Sequence, residues 1–362
     1  MAQKESGREV LSAGAGLAAE VALESGGQLG EGGGEMQGVR ARGYWEQVWL
    51  RFRKDKVAIA SGFVIILLIL AAFPGAPIAE RILGHGPDDI HPTPGVGVDM
   101  NLVPVGPLTR TKDFNVETGK EEEIFFVLGT ADTLGRDELL RLMYGARVSL
   151  EVAIGATFLS MFIGVLLGAT AGYFRGWIDA GISRLTEIVM AFPLLLFVIA
   201  LAATVGDRLQ DITLGGLLPN GVLMLVLVGG IFGWFYPARI IRAQVLSLRE
   251  KEFIEAAQMV GSSDWRIIRS HLLPHLVAPI IVYSTLIVAQ FVLFEAGLSF
   301  LGVGIKLPTA SWGALLSTAP DFYLQQPWLM VWPGAAVLIT TLSFNLLGDG
   351  LRDAFDPRGS AH

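Results

Sequence analysis

The groups with chemistry to offer in this 362-residue chain are five histidines, a few carboxylates within apolar stretches, and one polar elbow ending in Leu-Pro. None assembles a reaction centre. The chain has no cysteine, which excludes disulfides, cysteine-ligated zinc and thiol catalysis. No GxxxxGKS or GxxxxGKT phosphate loop exists: of seven lysines only Lys120 follows a glycine, and Glu121 comes next. The chain is therefore not expected to hydrolyse nucleotide alone. HExxH and GxSxG are also absent. His271 and His275 have the i, i+4 spacing of a metal pair, but Pro274 stands between them, and two polar residues at a membrane boundary are the simpler reading. Glu151, Glu187 and Glu295 lie within apolar blocks, where a charge is expensive and defaults to a functional hypothesis. All three sit near block ends. Interface or helix packing is the first reading for all three; gating or contact with a transported solute is the alternative, for which Glu295 is the best candidate.

The most distinctive polar stretch is 255–274, EAAQMVGSSDWRIIRSHLLP, set between two strongly apolar blocks. Residues 252–259 read as a short helix in which Ala256 and Ala257 give a slim surface. Gly261 permits a sharp turn. Ser262 or Ser263 can cap a second helix over 264–272, Asp264 suits its positive end, and Pro274 closes it. A slim, rigid helix projecting from a membrane suits a soluble motor that must push on it. A surface amphipathic helix is the bland reading of the same residues.

The elements that must carry this elbow follow from composition. The chain is 52% hydrophobic and 17% charged, with a mean hydropathy of +0.53, whereas soluble domains carry about a quarter charged residues. The apolar residues cluster in six blocks, at 57–73, 148–174, 185–205, 221–241, 277–298 and 328–347. Each is long enough to cross a hydrocarbon core of roughly 30 Å as a helix. The expected fold is an all-α polytopic membrane protein with six transmembrane helices, the first closed by Pro74.

Residues 1–39 hold ten glycines, two basic and six acidic residues, a composition expected to be disordered, with a short helix conceivable over 11–23. No secretory signal pattern is present there. Residues 40–56 switch to six basic and two acidic residues, ending in RFRKDK against the first block. Placing that cluster inside leaves the two short external loops with one basic residue each, Arg208 and Lys306. Both termini are then cytoplasmic, and 351–362 is a cytoplasmic tail. The segment 74–147 becomes a large external loop or subdomain with seven basic and twelve acidic residues, in which 123–128 could be a strand. It is either a solvated spacer or a surface for an external partner.

Gly164, Gly168 and Gly172 recur at every fourth position, with Ala156 and Ser160 extending the same face, and Gly229 and Gly233 repeat the pattern. Such faces mark close helix packing rather than a ligand site.

The elbow's spacing (EAA, three residues, Gly, nine residues, one position, one residue, Leu-Pro) resembles the signature loop of permease subunits from ATP-binding-cassette importers. The match extends further. LGTADTLGRDELLRLMYGARVSL (128–150) resembles the LGTDxLGRDxxSRLxYGARxSL segment of dipeptide and oligopeptide permeases, with one extra residue between Thr130 and Leu134 and with Leu140 where Ser is usual. FEAGLSFLGVG (294–304), SWG (311–313) and NLLGDGLRDAFDPR (345–358) are also similar to that family's later motifs. The likeness covers about 40–358. It implies a C-type permease of a dipeptide, oligopeptide or nickel importer. The type I permease core would span 148–350, behind the basic segment and first helix at 40–73, with the coupling loop at 250–274. Glu255, Ala256, Ala257 and Gly261 would form the coupling helix seated on an ATPase subunit. The implied partners are a homologous second permease, two ATPases, an external substrate-binding protein and membrane lipid, with no nucleic acid. No cofactor is implied on this chain, ATP and Mg belonging to the ATPases. The implied location is a prokaryotic plasma (inner) membrane. Short peptides lead as the substrate, and nickel or another small solute is the alternative within the same machine. An autonomous channel or ion-coupled carrier would call for polar residues in mid-span, and these are scarce.

Overall fold

The computed structural model describes residues 43–115, 120–210 and 218–356. The chain divides into two units, Met1–Gln47 and Val48–His362. The described part of the first is Gly43 and the opening of helix α1 (Tyr44–Phe52). The expectations for 1–39 and for 357–362 fall outside the described residues.

Within the second unit, Asp55 starts helix α2 by accepting the amides of Val57 and Ala58 at 2.9 and 3.1 Å. The helix runs Lys56–Leu83, past the end that the sequence placed at Pro74. The reason is local: residues Ala71–Gly75 widen into a π turn that takes in Pro74. A wide turn relieves the ring clash and the missing amide that stop an ordinary α-helix. Gly84, at φ +78°, then ends it.

The 74–147 segment thus includes the end of one helix and the start of the next. Between them lies an antiparallel hairpin, β1 (Thr109–Asn115) and β2 (Lys120–Phe126), with Thr109 opposite Phe126 and Asn115 opposite Lys120. The strand anticipated at 123–128 overlaps β2.

Helix α3 (Glu138–Phe174) is 37 residues long and starts before residue 148. Asp137 caps it, its Oδ1 accepting from the Leu140 amide at 2.8 Å. Two spans are then broken. Helices α4 (Gly176–Ala191) and α5 (Leu194–Gln210) meet at 76°, where 185–205 was expected to be one span. Pro193 causes the break by holding Phe192 extended, φ −83° and ψ 130°. Helices α6 (Val222–Gly233) and α7 (Phe235–Arg249) bend by 41° at Trp234.

Helix α8 (Glu252–Met259) follows, and then one continuous helical run, α9 (Asp264–Phe300). Pro274 does not close a helix at 272 as expected. Residues Ile267–Leu272 form a second π turn, and Pro274 sits in the first turn of the α segment after it, where a proline is tolerated. The short α10 (Trp312–Thr318) and the long α11 (Trp328–Phe355) complete the chain, and α11 takes in the beginning of the expected tail at 351–362. Among the described residues, four helices are long and apolar enough to cross a membrane: α2, α3, α9 and α11. Counting each bent pair as one span gives six.

Helix α3 is the central column, packed against α6, α7 and α9, while α2 packs on α11. A side-chain carbon added at Gly164, Gly168 or Gly172 would lie 2.4 Å from Pro237 Cβ, 2.5 Å from Ala238 O or 2.8 Å from Val245 Cβ. The glycine stripe is thus the face against which α7 lies. Gly229 and Gly233 similarly receive the Phe291 ring. These contacts lie within one subunit, and in lipid such close packing does the work that hydrophobic burial does in water.

Candidate functional site

The polar elbow is built as a rigid bracket. Ile254, fully buried, ties α8 to Ile241 and Val245 of α7 and to Ile267, Leu272 and Leu276 of α9. The opposite surface is open: Glu255 and Ala256 are exposed, Ala257 is half-buried, and Met259 and Val260 at the tip are 83% and 87% exposed. The turn has the double hydrogen bond of a Schellman cap, Gly261 N to Gln258 O at 2.9 Å and Ser262 N to Ala257 O at 3.0 Å. Gly261 holds φ +81°, which a residue with a Cβ adopts only under strain. Ser263 occupies the next cap position, although its hydroxyl makes no capping bond. Tyr173, at the end of α3, donates to Asp264 Oδ1 at 2.7 Å and fixes the start of α9. His275 lies against Phe253, ring centres 5.0 Å apart. No group of metal-ligating side chains occurs among the described residues.

Glu295 lies elsewhere, fully buried. Its Oε2 accepts from Ser149 Oγ at 2.7 Å and its Oε1 from Ser299 Oγ at 2.8 Å. Ser149 Oγ in turn accepts from the Trp312 amide at 3.3 Å, and Ser299 Oγ from the Ile305 amide at 3.0 Å. One carboxylate therefore joins α3, α9, the loop after α9 and the start of α10. Three separated sequence segments, ARVSL, FEAGLSFLGVG and SWG, meet at this knot.

Residues 164–360, more than half the chain, match the binding-protein-dependent transport system inner membrane component family. The chain belongs to this family. Residues 43–93 of the permease match the N-terminal transmembrane domain of oligopeptide transport permease C. The dipeptide transport system permease protein DppC of Alkalihalophilus pseudofirmus is 36% identical over 315 residues, 87% of this chain and 90% of that one. The oligopeptide transport system permease protein OppC of Haemophilus influenzae is 36% identical over 90% of this chain and 91% of its own length. The glutathione transport system permease protein GsiD of Pectobacterium atrosepticum is 33% identical over 87% and 91%. Among solved structures, an inward-facing MetNI methionine ABC transporter is 16% identical over 60% of this chain and 96% of that chain, with a TM-score of 0.48.

The permease is thus a multi-pass inner-membrane subunit of an ABC importer. In such importers partner ATPase subunits hydrolyse the nucleotide, and ATPase and permease partners are implied by the family itself.

The other carboxylates divide differently from Glu295. Glu151, its side chain mostly buried, pairs with Arg147 at 2.9 Å one turn earlier on α3. Glu187 accepts from Arg184 at 2.9 Å, both well exposed. The sequence did not reveal a third feature, an ion pair of Asp179 on α4 with Arg242 on α7, at 2.7 Å between Arg242 Nη2 and Asp179 Oδ2. Both residues lie just outside the blocks at 185–205 and 221–241, so the pair became legible only once α4 and α7 were seen to face each other.

Beside that pair lies a cavity of about 290 Å³ with a polar lining. A larger apolar groove of about 510 Å³ runs between α3 and α9 under Trp265.

The external segment is also knit together. Asp137, besides capping α3, lies 3.1 Å from His85 Nε2, and Arg141 of α3 donates to Asp88 at 2.7 Å and to Pro308 O at 3.1 Å.

Proposed function

We propose that the permease forms half of the translocation path of an ATP-driven importer for short peptides. Its partners in this reading are a second, homologous permease, two ATPases and an external binding protein. Helix α8 serves as the coupling helix: Glu255, Ala256, Ala257 and Gly261 form the surface and turn that seat in an ATPase groove. The basic cluster before α2 faces the cytoplasm, as do both termini, in line with the bias of arginine and lysine.

The observation that carries the reading is the bracket itself. A helix with an exposed apolar tip is anchored by Ile254 to two spanning elements, so force on its outer surface reaches α7 and α9 without a flexible joint. Movement of this kind suits alternating access by rigid bodies. The dipeptide and oligopeptide names of the relatives support the choice of substrate. Glu295 is assigned to gating rather than to peptide contact, because it is sealed at the junction of α3, α9 and α10.

The test is recovery and transport together. The complex captured through a tag on this chain is expected to contain a second permease and ATPase subunits and, with its binding protein, to import a short peptide into vesicles when ATP is supplied. Recovery of this chain alone, under conditions that preserve other membrane complexes, would overturn the proposal.

A further inference from the structure

The 290 Å³ cavity between α3, α4 and α7 has the chemistry of a binding site that the coupling role leaves unused. Its floor is Gly168 and Ala171 of α3, and its walls are Ser183, Thr186 and Glu187 of α4 and Arg239 and Arg242 of α7. Residues 179, 183 and 187 fall on one face of α4 at helical spacing, and 239 and 242 on the facing side of α7. The Asp179–Arg242 ion pair therefore closes one end of a shared seam, and the cavity opens one turn further along. Such a volume lies at the lower edge of small-ligand sites, which start near ~300 Å³.

The charges in this cavity are not neutralised in the way of the seam. Arg239 is exposed and makes no ion pair or hydrogen bond among the described residues. An unpaired guanidinium within a spanning element has a substrate or ion path as its default explanation. It offers a flat, forked donor to a carboxylate. Glu187 holds only the exposed contact to Arg184, a class of pair that contributes about 0–1 kcal/mol and is readily exchanged. The hydroxyls have already placed their protons, Ser183 toward Asp179 at 3.3 Å and Thr186 toward Ile182 O at 2.9 Å. What they present to the cavity is acceptor lone pairs, which suit an ammonium. The α7 side of the lining thus offers a donor to an anion, and the α4 side offers acceptors to a cation.

We infer that this cavity is a subsite for a small zwitterion, the free termini of a short peptide, with Arg239 taking the carboxylate and Glu187 with the α4 hydroxyls taking the ammonium. The inference rests on the peptide-importer reading and deepens it.

The absence of cysteine makes the test direct. Ile182, half-buried at the cavity wall, is changed to cysteine as a reporter in the whole importer complex in vesicles, and its labelling by a maleimide is followed. Trialanine is expected to slow labelling, its C-terminal amide to do so about tenfold less well, and Arg239→Gln to erase the difference. Arg239→Lys, which keeps the charge but not the fork, is expected to restore part of it, so a loss of assembly in the Gln variant does not decide the matter. Equal protection by acid and amide, no protection at all, or protection that follows phosphatidylglycerol content instead of peptide would each overturn the subsite. Uptake of trialanine by the unmodified complex with its binding protein reads the importer separately. Uptake without protection removes the subsite and leaves the importer, whereas no peptide uptake removes both.

Discussion

Ser149 Oγ lies 2.7 Å from Glu295 Oε2, a hydrogen bond that spans 146 positions of sequence. With Ser299 on the other carboxylate oxygen, it makes Glu295 the polar pin through α3 and α9. Each neighbouring hydroxyl is in turn engaged by a backbone amide from a different segment.

Glu295→Ala removes the acceptor for two buried hydroxyls at once. A loss of about 2 kcal/mol is expected, the usual cost of stranding buried polar partners. Glu295→Gln, which keeps an acceptor oxygen in place, is expected to recover most of it. Thermal melting of the purified complex in detergent checks both, and an Ala variant that melts with the unaltered protein would show the pin to be idle.

Gly261→Val should impair transport more than it impairs assembly. The φ of +81° carries a penalty of about 1–2 kcal/mol for a residue with a Cβ, while no atom stands within 4 Å of the added carbon. The strain therefore re-aims the turn instead of clashing with the core. Peptide uptake is expected to fall, with membrane insertion unchanged and ATPase subunits less well retained on a tagged chain. Normal uptake would remove the turn from the coupling scheme.

Two glycines close together in the fold are expected to behave oppositely. An alanine at Gly313 would place its Cβ 2.5 Å from Ala296 O and 2.6 Å from Ser299 Cβ, directly beneath the Glu295 pin. An alanine at Gly297 meets nothing within 4 Å. Gly313→Ala should lower the yield of folded protein. Gly297→Ala should be neutral or slightly stabilising, since alanine is favoured over glycine in a helix by up to ~1 kcal/mol. Size-exclusion profiles of the two variants decide it.

Arg242→Gln leaves Asp179 half-buried without its forked partner, and so does Asp179→Asn for the arginine. Either change is expected to loosen the seam between α4 and α7 and to reduce uptake several-fold. The exchanged pair Asp179→Arg with Arg242→Asp should recover part of the loss, since neighbours in one ion pair are coupled by roughly 0.5–3 kcal/mol. A double variant no better than the sum of the singles would place the function of these residues elsewhere.

The helices that run as single spans were legible because each is a long, strongly apolar block with at most one or two charges. Their ends were not, since the termini carry polar residues that blocks do not reveal. Asp137 caps α3 inside a segment that reads as loop, and the π turns at Ala71–Gly75 and Ile267–Leu272 absorb Pro74 and Pro274 where a rule about prolines says stop. Pro193 did break a span, and nothing near it in the sequence distinguishes it from the other two. The elbow was readable residue by residue, because EAA and Gly261 are local. The Glu295 knot was only half readable: the carboxylate stood out as a charge among apolar residues, but its partners at 149 and 299 are serines, common everywhere. The cavity beside Arg239 was invisible, because a cavity belongs to the crossing of three helices and to no one of them.

Helix α9 runs unbroken from Asp264, beside the turn at Gly261, to Phe300, just beyond Glu295. Its 37 residues amount to a rod of roughly 55 Å at 1.5 Å per residue. The wide turn at Ile267–Leu272 sits at the end nearest the elbow, where Ile267 and Leu272 pack in one cluster with Ile254. A rod clamped at its handle by buried side chains acts as a lever: a push at the tip is carried along its length to the far serine–carboxylate latch.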